Sequence, residues 1–522
     1  MDHRRPVGLP GVILSGVLIC ATLLMACGGP GARVAVPDQP RSPLPDGVIA
    51  AGFSPDLALA LDRFTTHARR ARPVPDLQSV ARLALSTIDP RAHVKGPVFL
   101  SLHHARVGGQ VRWLMLVPRE AGGGHSSGPD LSSGPDLQKR RFRSQTVYVS
   151  TVEDGRLLLT DDPESAERLK PWALGFRGTA SEADFSVRVA LSMLREEVAR
   201  VAAPGTTPSS SLSRSLVLAG LRQVESFELS AQLSEDTVSL GARVHPLPGT
   251  GLAVLAETAG ALDPRLFDFV PSDAPLVVVG DFTDAAWGPL RQAIRETSEA
   301  DTQLHEDDRR WHLATFDALR SDFMLSVQAM PGADSPSILG VFTPADPRTP
   351  STVLQALGRG LSPPEAAAIG PHRVYQLAPQ DDESGSALSV ADGRLFVASG
   401  GTPYATLESI LSGRWRTGAA HHEGLSWARA HAAPRPFVVT AANLVELLHI
   451  AHPPERARGA AEAKAIQTDT VVAFSVGTDG QSLQARLDIP VAHVEALFRL
   501  VESSTTEPSA TPSSEWLFPE GI

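Results

Sequence analysis

The sequence predicts an α+β protein of two similar tandem domains, each an antiparallel sheet of hairpins and a meander with packed helices. Three observations predict it. Short alternating apolar runs are separated by Gly, Pro and Asp turn signals, as half-buried strands require. Capped helical stretches lie among them. The whole pattern returns after about 240 residues.

The first copy opens with Leu44-Pro45-Asp46 and an apolar run, then Ser54-Pro55-Asp56 starts a helix. The second opens with Val270-Pro271-Ser272 and a strand over 276–279, then a helix from Asp284. Strands over 98–102 and 111–117 correspond to strands over 323–327 and 338–342. Next come two hairpins turning on the same triplet, Asp154-Gly155-Arg156 and Asp392-Gly393-Arg394. Asp-Gly between alternating apolar runs predicts a two-residue type I′ turn, which needs φ > 0 at both central residues. These six residues are expected to serve the turns and not a ligand.

Each hairpin leads into a helix. Asp162-Pro163 starts one and Thr402-Pro403 the other, a capping side chain followed by proline at the first helical position. Strands over 185–189 and 437–440 then lead into helices near 191–201 and 441–449. A closing meander pairs 227–233 and 238–244 with 470–476 and 482–487. In the last helix Val494, Leu497, Phe498 and Val501 share one face, and Leu252, Leu255 and Ala256 do so in the first copy. The hairpins and helices resemble secreted bacterial proteins of a duplicated domain family with no assigned function. That resemblance implies a pair of α+β domains and supplies no catalytic residue.

The expected divisions are an export segment at 1–26, a Pro/Gly-rich tether at 27–45, repeats at 46–260 and 261–503, and a Ser/Thr/Pro-rich tail at 504–522. The first repeat carries an insertion near 120–142, where Ser126–Leu131 is repeated verbatim as Ser132–Leu137. Low complexity of this kind predicts a disordered loop. Trp516-Leu517-Phe518 restores apolar bulk after the tail, as a segment tucked onto the body or a short docking peptide.

The first residues predict an address. Arg4 and Arg5 precede an apolar run from Val12 to Leu24, closed by Leu24-Met25-Ala26-Cys27. That order reads as a secretory signal. As a helix the run spans about 24 Å, short of a ~30 Å hydrocarbon core. Leu24-Met25-Ala26-Cys27 resembles the lipobox of bacterial lipoproteins. Leu24 and Ala26 match that pattern, whereas Met25 stands where a small or β-branched residue is usual. The resemblance implies cleavage between Ala26 and Cys27 and acylation of Cys27, with Gly28 favouring the outer over the inner membrane. Two or more acyl chains give stable anchoring at ~0.8 kcal/mol per buried CH₂. The tether, as a flexible coil, reaches roughly 25 Å.

Charge and cysteine content narrow the function classes. The net charge is −11, with no basic cluster, so nucleic acid and polybasic membrane binding are disfavoured. The two cysteines are Cys20 and Cys27. With one in the signal and one acylated, the body has no disulfide and no cysteine nucleophile or metal site. No Walker loop, dinucleotide-binding turn or HExxH occurs. Gly424-Leu425-Ser426-Trp427-Ala428 resembles a nucleophile elbow only loosely, lacking the second glycine.

The histidines His103, His104, His421, His422, His449 and His452 read as solvated, with His103 and His104 on opposite faces of a strand. The acidic runs Glu306–Asp308 and Asp381–Glu383 read as solvated loops, with loose calcium binding as the other option. No cofactor is expected. The sequence thus predicts a lipid-anchored envelope protein with a binding or scaffolding role and an envelope protein partner. A carrier of an apolar ligand and an uncharacterised hydrolase are the alternatives.

Overall fold

A computed structural model of the chain describes residues 44–71, 74–104, 111–119, 137–142, 145–176, 183–190, 223–283, 288, 319–328, 336–344, 365–377, 386–400, 402–415, 417–418, 421–451, 466 and 468–504. Several expectations fall outside them. These are the export segment with Ala26 and Cys27, residues 120–136 of the insertion expected near 120–142, the helices near 191–201 and from Asp284, both acidic runs, His452, and the tail beyond 504; the end of that insertion is not a disordered loop, because Gln138–Phe142 pairs with the strand that follows it.

The chain begins with β1 (Val48–Ser54), α1 (Leu57–Ala71) and α2 (Leu77–Ile88). Strands β2 (Val98–His104), β3 (Val111–Val117), β4 (Gln138–Phe142), β5 (Gln145–Thr151) and β6 (Leu157–Thr160) follow. Then come α3 (Pro163–Gly175), β7 (Phe185–Ala190), β8 (Val224–Leu233), β9 (Thr237–Pro246), α4 (Gly251–Thr258) and a 3₁₀ helix over Pro264–Phe269. The second series has β10 (Leu276–Asp281), β11 (Leu319–Gln328), β12 (Ser337–Pro344), β13 (Glu365–Ile369), β14 (His372–Leu377), β15 (Ser386–Ala391) and β16 (Arg394–Gly400). It closes with α5 (Pro403–Leu411), α6 (Glu423–Ala430), β17 (Pro436–Ala442), α7 (Leu444–Ala451), β18 (Val472–Thr478), β19 (Leu483–Pro490) and α8 (Val491–Ser504).

All 19 strands among the described residues join one antiparallel sheet. Pair by pair, the order is β4-β5-β6-β3-β2-β1-β7-β8-β9-β19-β18-β17-β10-β11-β12-β16-β15-β14-β13. The expected boundary at 260 therefore does not interrupt the sheet. β9 and β19 pair over eight residues, from Thr237↔Pro490 to Val244↔Leu483. The mixture of helix and sheet agrees with an α+β class, with sheet predominant.

Successive strand residues point to opposite faces, so the register carries each face across the sheet. Phe99, Phe53, Ser186, Ser230, Gly241, Arg486, Ser475, Val439, Val279, Met324 and Val341 follow one another strand by strand. The two ends of this row are apolar and the middle is polar. Helices cover the ends. Ala166, Leu169 and Ala173 of α3 pack on Phe99, Leu114 and Leu158. Leu407 of α5 and Leu425 and Ala428 of α6 pack with Val279, Met324 and Val341. On the opposite face, Ala58 of α1 and Leu85 of α2 join Val98, Val117, Leu157 and Leu159. Leu252, Leu255 and Ala256 of α4 are buried as expected, in a core that mixes β8, β17, β18 and β19 residues.

The polar middle is held by charges. Glu228 Oε1 lies 3.2 Å from Arg188 Nε and 3.4 Å from His245 Nε2. At the seam the Ser239 hydroxyl donates to Asp488, which also accepts from Arg486 Nε at 2.8 Å. Arg243 approaches Asp479 across the same seam at 3.8 Å. Asp479 is pushed down to about 2: burial opposes its ionisation, but backbone N–H groups of Gln481 and Ser482 and their side-chain neighbours outweigh burial.

Local expectations are met unequally. Asp392 and Gly393 have φ of 49° and 74°, as a two-residue type I′ turn requires. The Asp154 turn is different. It spans 152–156, with Gly155 alone at positive φ (84°) and its N–H bonded to the Val152 carbonyl at 2.9 Å. The cause is the Asp154 carboxylate, which folds forward to accept from Arg156 N at 3.1 Å and Nε at 2.7 Å. Asp162 caps α3 through the N–H groups of Glu164 and Ser165, whereas Thr402 makes no side-chain cap and faces Ser337 instead. In α8 Val491, His493, Ala496 and Leu500 are buried, Val494 and Leu497 are half-buried, and Phe498 is 43% exposed. No helix among the described residues is long and apolar enough to cross a membrane.

Ser239→Ala should lower stability by about 1–2 kcal/mol, because Asp488 is 1% exposed and loses a donor. The urea midpoint of the purified protein reads this directly.

Candidate functional site

The clearest concentration of buried charge forms where β10, β11, β12 and the β15–β16 turn end together. The register places Asp281 directly opposite Asp322 on neighbouring strands. Thr343 lies one strand further and donates to Asp322 Oδ2 at 2.5 Å. Arg394, first residue after the Asp392-Gly393 turn, bonds to both Asp322 and Thr343. Its other terminal nitrogen lies 3.6 Å from Asp263 Oδ2. Asp263 caps the 3₁₀ helix and binds Arg265 at 2.9 Å. These groups line a cleft of about 590 Å³.

Electrostatics separate Asp281 from Asp263. Burial, then the neighbouring Asp322 and Asp263, pushes Asp281 up to about 6. The Arg265 side chain holds Asp263 below its usual range against a smaller opposing effect of burial. Asp281 Oδ2 accepts only a weak backbone bond, from Asp263 N at 3.2 Å. The cleft can therefore take up a proton near neutrality at Asp281 while Arg394 remains bound to Asp322.

The Asp-Gly-Arg triplets thus diverge in role. Arg156 pairs with Asp154 of its own turn, at 2.6 Å. Arg394 reaches three other segments. The sequence supplied Asp392, Gly393 and Arg394 but not the partners. Asp263, Asp281, Asp322 and Thr343 stand far apart in the chain, and only strand pairing unites them. The visible signal was an acid at the end of the apolar strand Val277-Val278-Val279-Gly280-Asp281.

A second cleft, of about 480 Å³, opens at the seam. Asp236 and Thr237 bring the β8–β9 turn, Glu423 and Trp427 bring α6, Asp469 precedes β18, and Glu495 comes from α8. Arg70, at the end of α1, enters from the opposite face of the sheet. It donates to the Glu235 carbonyl at 3.3 Å and lies 4.0 Å from Glu495.

His421 is exposed as expected, whereas His103 and His422 correct the solvated reading. His103 and His104 do point to opposite faces, but His103 is fully buried, 3.8 Å from Asp162. Burial lowers its pKa despite the carboxylates of Asp162 and Asp161. His422 is also buried. Its Nδ1 accepts from Leu425 N at 2.9 Å, capping α6, and its Nε2 faces the Ala274 carbonyl at 3.0 Å. His493 joins Leu444 N to the Thr470 carbonyl, at 3.2 and 3.0 Å, and burial lowers its pKa. His422 and His493 close backbone ends of helices, where a small two-nitrogen ring can accept on one side and donate on the other. Gly424–Ala428 lies inside α6, ahead of β17, so it is not a strand-to-helix elbow. No group of His, Cys, Asp or Glu among the described residues is arranged to hold a metal ion.

Comparison with protein-family models, curated proteins and solved structures gave no match.

Two outcomes follow from the Arg394 cleft. Asp281 gains affinity for protons on folding, so its penalty is present above pH 6 and vanishes as pH falls towards 4. Asp281→Asn should therefore stabilise the protein by about 1–2 kcal/mol at pH 7.5, after discounting for partial exposure, and by little at pH 4. Thermal melts at both pH values check this. Arg394→Met removes the only arginine that Asp322 contacts among the described residues and should cost roughly 3 kcal/mol. The matched Arg156→Met, whose partner Asp154 is 43% exposed, should cost about 1 kcal/mol by the same urea assay.

Proposed function

We propose that the protein is a lipid-anchored lipoprotein of the cell envelope, held by acylated Cys27 at the outer membrane, that works by binding a protein partner without catalysing a reaction. The observation that carries this reading is the export segment closed by Leu24-Met25-Ala26-Cys27. The binding role is supported by the seam cleft, an open concavity walled by charged side chains and an indole. An apolar-ligand carrier would need an open apolar cavity, and both clefts described above are lined by carboxylates and arginine. The chain has no second thiol outside the signal, so its body is held by packing and sheet pairing alone.

The two repeats are, on this reading, a tandem duplication fused edge to edge. Strand order supports it. Outward from the seam the order is β9-β8-β7-β1-β2-β3-β6-β5 on one side and β19-β18-β17-β10-β11-β12-β16-β15 on the other. Each side places its closing meander nearest the seam and its Asp-Gly-Arg hairpin farther out.

Cys27→Ser tests the anchor. The native chain should incorporate labelled palmitate and sediment with membranes until detergent is added, whereas the variant should do neither. A variant that stays equally tightly with envelope fractions overturns the address and the partner inferred from it.

A further inference from the structure

The seam cleft has a chemistry of its own. Four carboxylates surround it: Asp236, Glu423, Asp469 and Glu495. One arginine, Arg70, answers them and is already engaged with Glu495 and the Glu235 carbonyl. Asp236, Glu423 and Asp469 are exposed to solvent and make no ion pair with the described residues. Among the described residues their charge is therefore uncompensated within a concave surface, where low-dielectric walls focus the field.

The wall between them is aromatic. Trp427 lines the cleft and is backed by the His431 ring, 4.5 Å away between centroids. A tryptophan face attracts a cation by its quadrupole, most strongly for guanidinium and ammonium groups. The cleft already accommodates one guanidinium: Arg70 reaches in from α1 and lies beside Glu495. Its volume of about 480 Å³ leaves room beyond that side chain. Aromatic wall, unpaired carboxylates and a resident arginine all point to the same class of guest.

We propose that the seam cleft binds an arginine- or lysine-bearing segment of a protein partner, with the cationic side chain stacked on Trp427 and paired to Glu423 and Asp469. This deepens the binding role proposed above and names the chemistry of the partner. It also places the contact where the two strand series meet, so the site exists only while β9 and β19 remain paired. The exposed carboxylates steer a basic segment from a distance, and the indole fixes its end point.

The test uses the full-length chain in detergent and a fluorescein-labelled peptide, Gly-Arg-Gly-Arg-Gly-Arg, followed by fluorescence anisotropy. A second peptide carries citrulline in place of each arginine, which keeps shape and removes charge. The arginine peptide should bind at least about tenfold more tightly than the citrulline peptide and should weaken with added salt. Glu423→Gln combined with Asp469→Asn should weaken it about tenfold or more, with an unchanged melting temperature. Trp427→Leu should weaken it even in high salt, where the ion pairs are screened. Equal affinity for the two peptides, an unaffected Glu423/Asp469 variant, or no binding at about 1 mM peptide would each overturn the proposal. The Cys27→Ser fractionation reads the anchor independently, so loss of peptide binding with an intact anchor removes only the cleft assignment.

Discussion

Eight consecutive residue pairs between β9 and β19 turn two strand series into one sheet. Without that seam each series would end in an open edge of eight to ten residues, a template for unwanted pairing. Backbone bonds of this kind each contribute about 0.5–1.5 kcal/mol net. Around them the seam adds the Ser239–Asp488 bond, the Arg243–Asp479 approach and a shared apolar core beneath α4. The seam also places α1, α6 and α8 beside one another, which is what creates the charged cleft.

A sheet this long cannot be covered uniformly, and the protein divides its faces accordingly. Apolar rows at both ends lie beneath helices, while the central strands carry serine, glycine and paired charges on one face and the α4 core on the other. Glu228 shows the cost of that choice: it is 5% exposed and needs both Arg188 and His245 nearby. A buried charge is tolerable only with such partners. The same logic governs the Arg394 cleft. There, three aspartates crowd one arginine, and the least well-paired of them, Asp281, responds by holding its proton to about pH 6. Strand register at this point thus shifts a carboxyl group towards neutrality.

Repetition in sequence did not mean repetition in chemistry. Both Asp-Gly-Arg triplets turn a hairpin, yet the Asp154 carboxylate captures its own arginine and opens the turn to five residues. At 392–394 the turn stays tight, so Arg394 is free to cross to β11 and β12. A single side-chain contact thus separates a purely structural turn from the centre of a charged cleft.

Most strand positions, the tight turn at Asp392-Gly393, the capped start of α3 and the buried face of α4 could be read from the amino-acid pattern, because each depends on local periodicity and turn chemistry; β4, β13 and β14, which lie in or beside polar and small-residue segments, could not. The sheet order, the seam and both clefts could not be read that way. Asp263, Asp281, Asp322 and Thr343 become neighbours through strand register, and Arg70, Trp427 and Glu495 through the seam; no short motif encodes either. His103 and His422 were legible as residues but not as buried ones, since burial depends on which helices pack above them. Local physics fixed the parts of this protein; long-range strand pairing decided which charges meet, because it alone brings distant carboxylates within reach of one another.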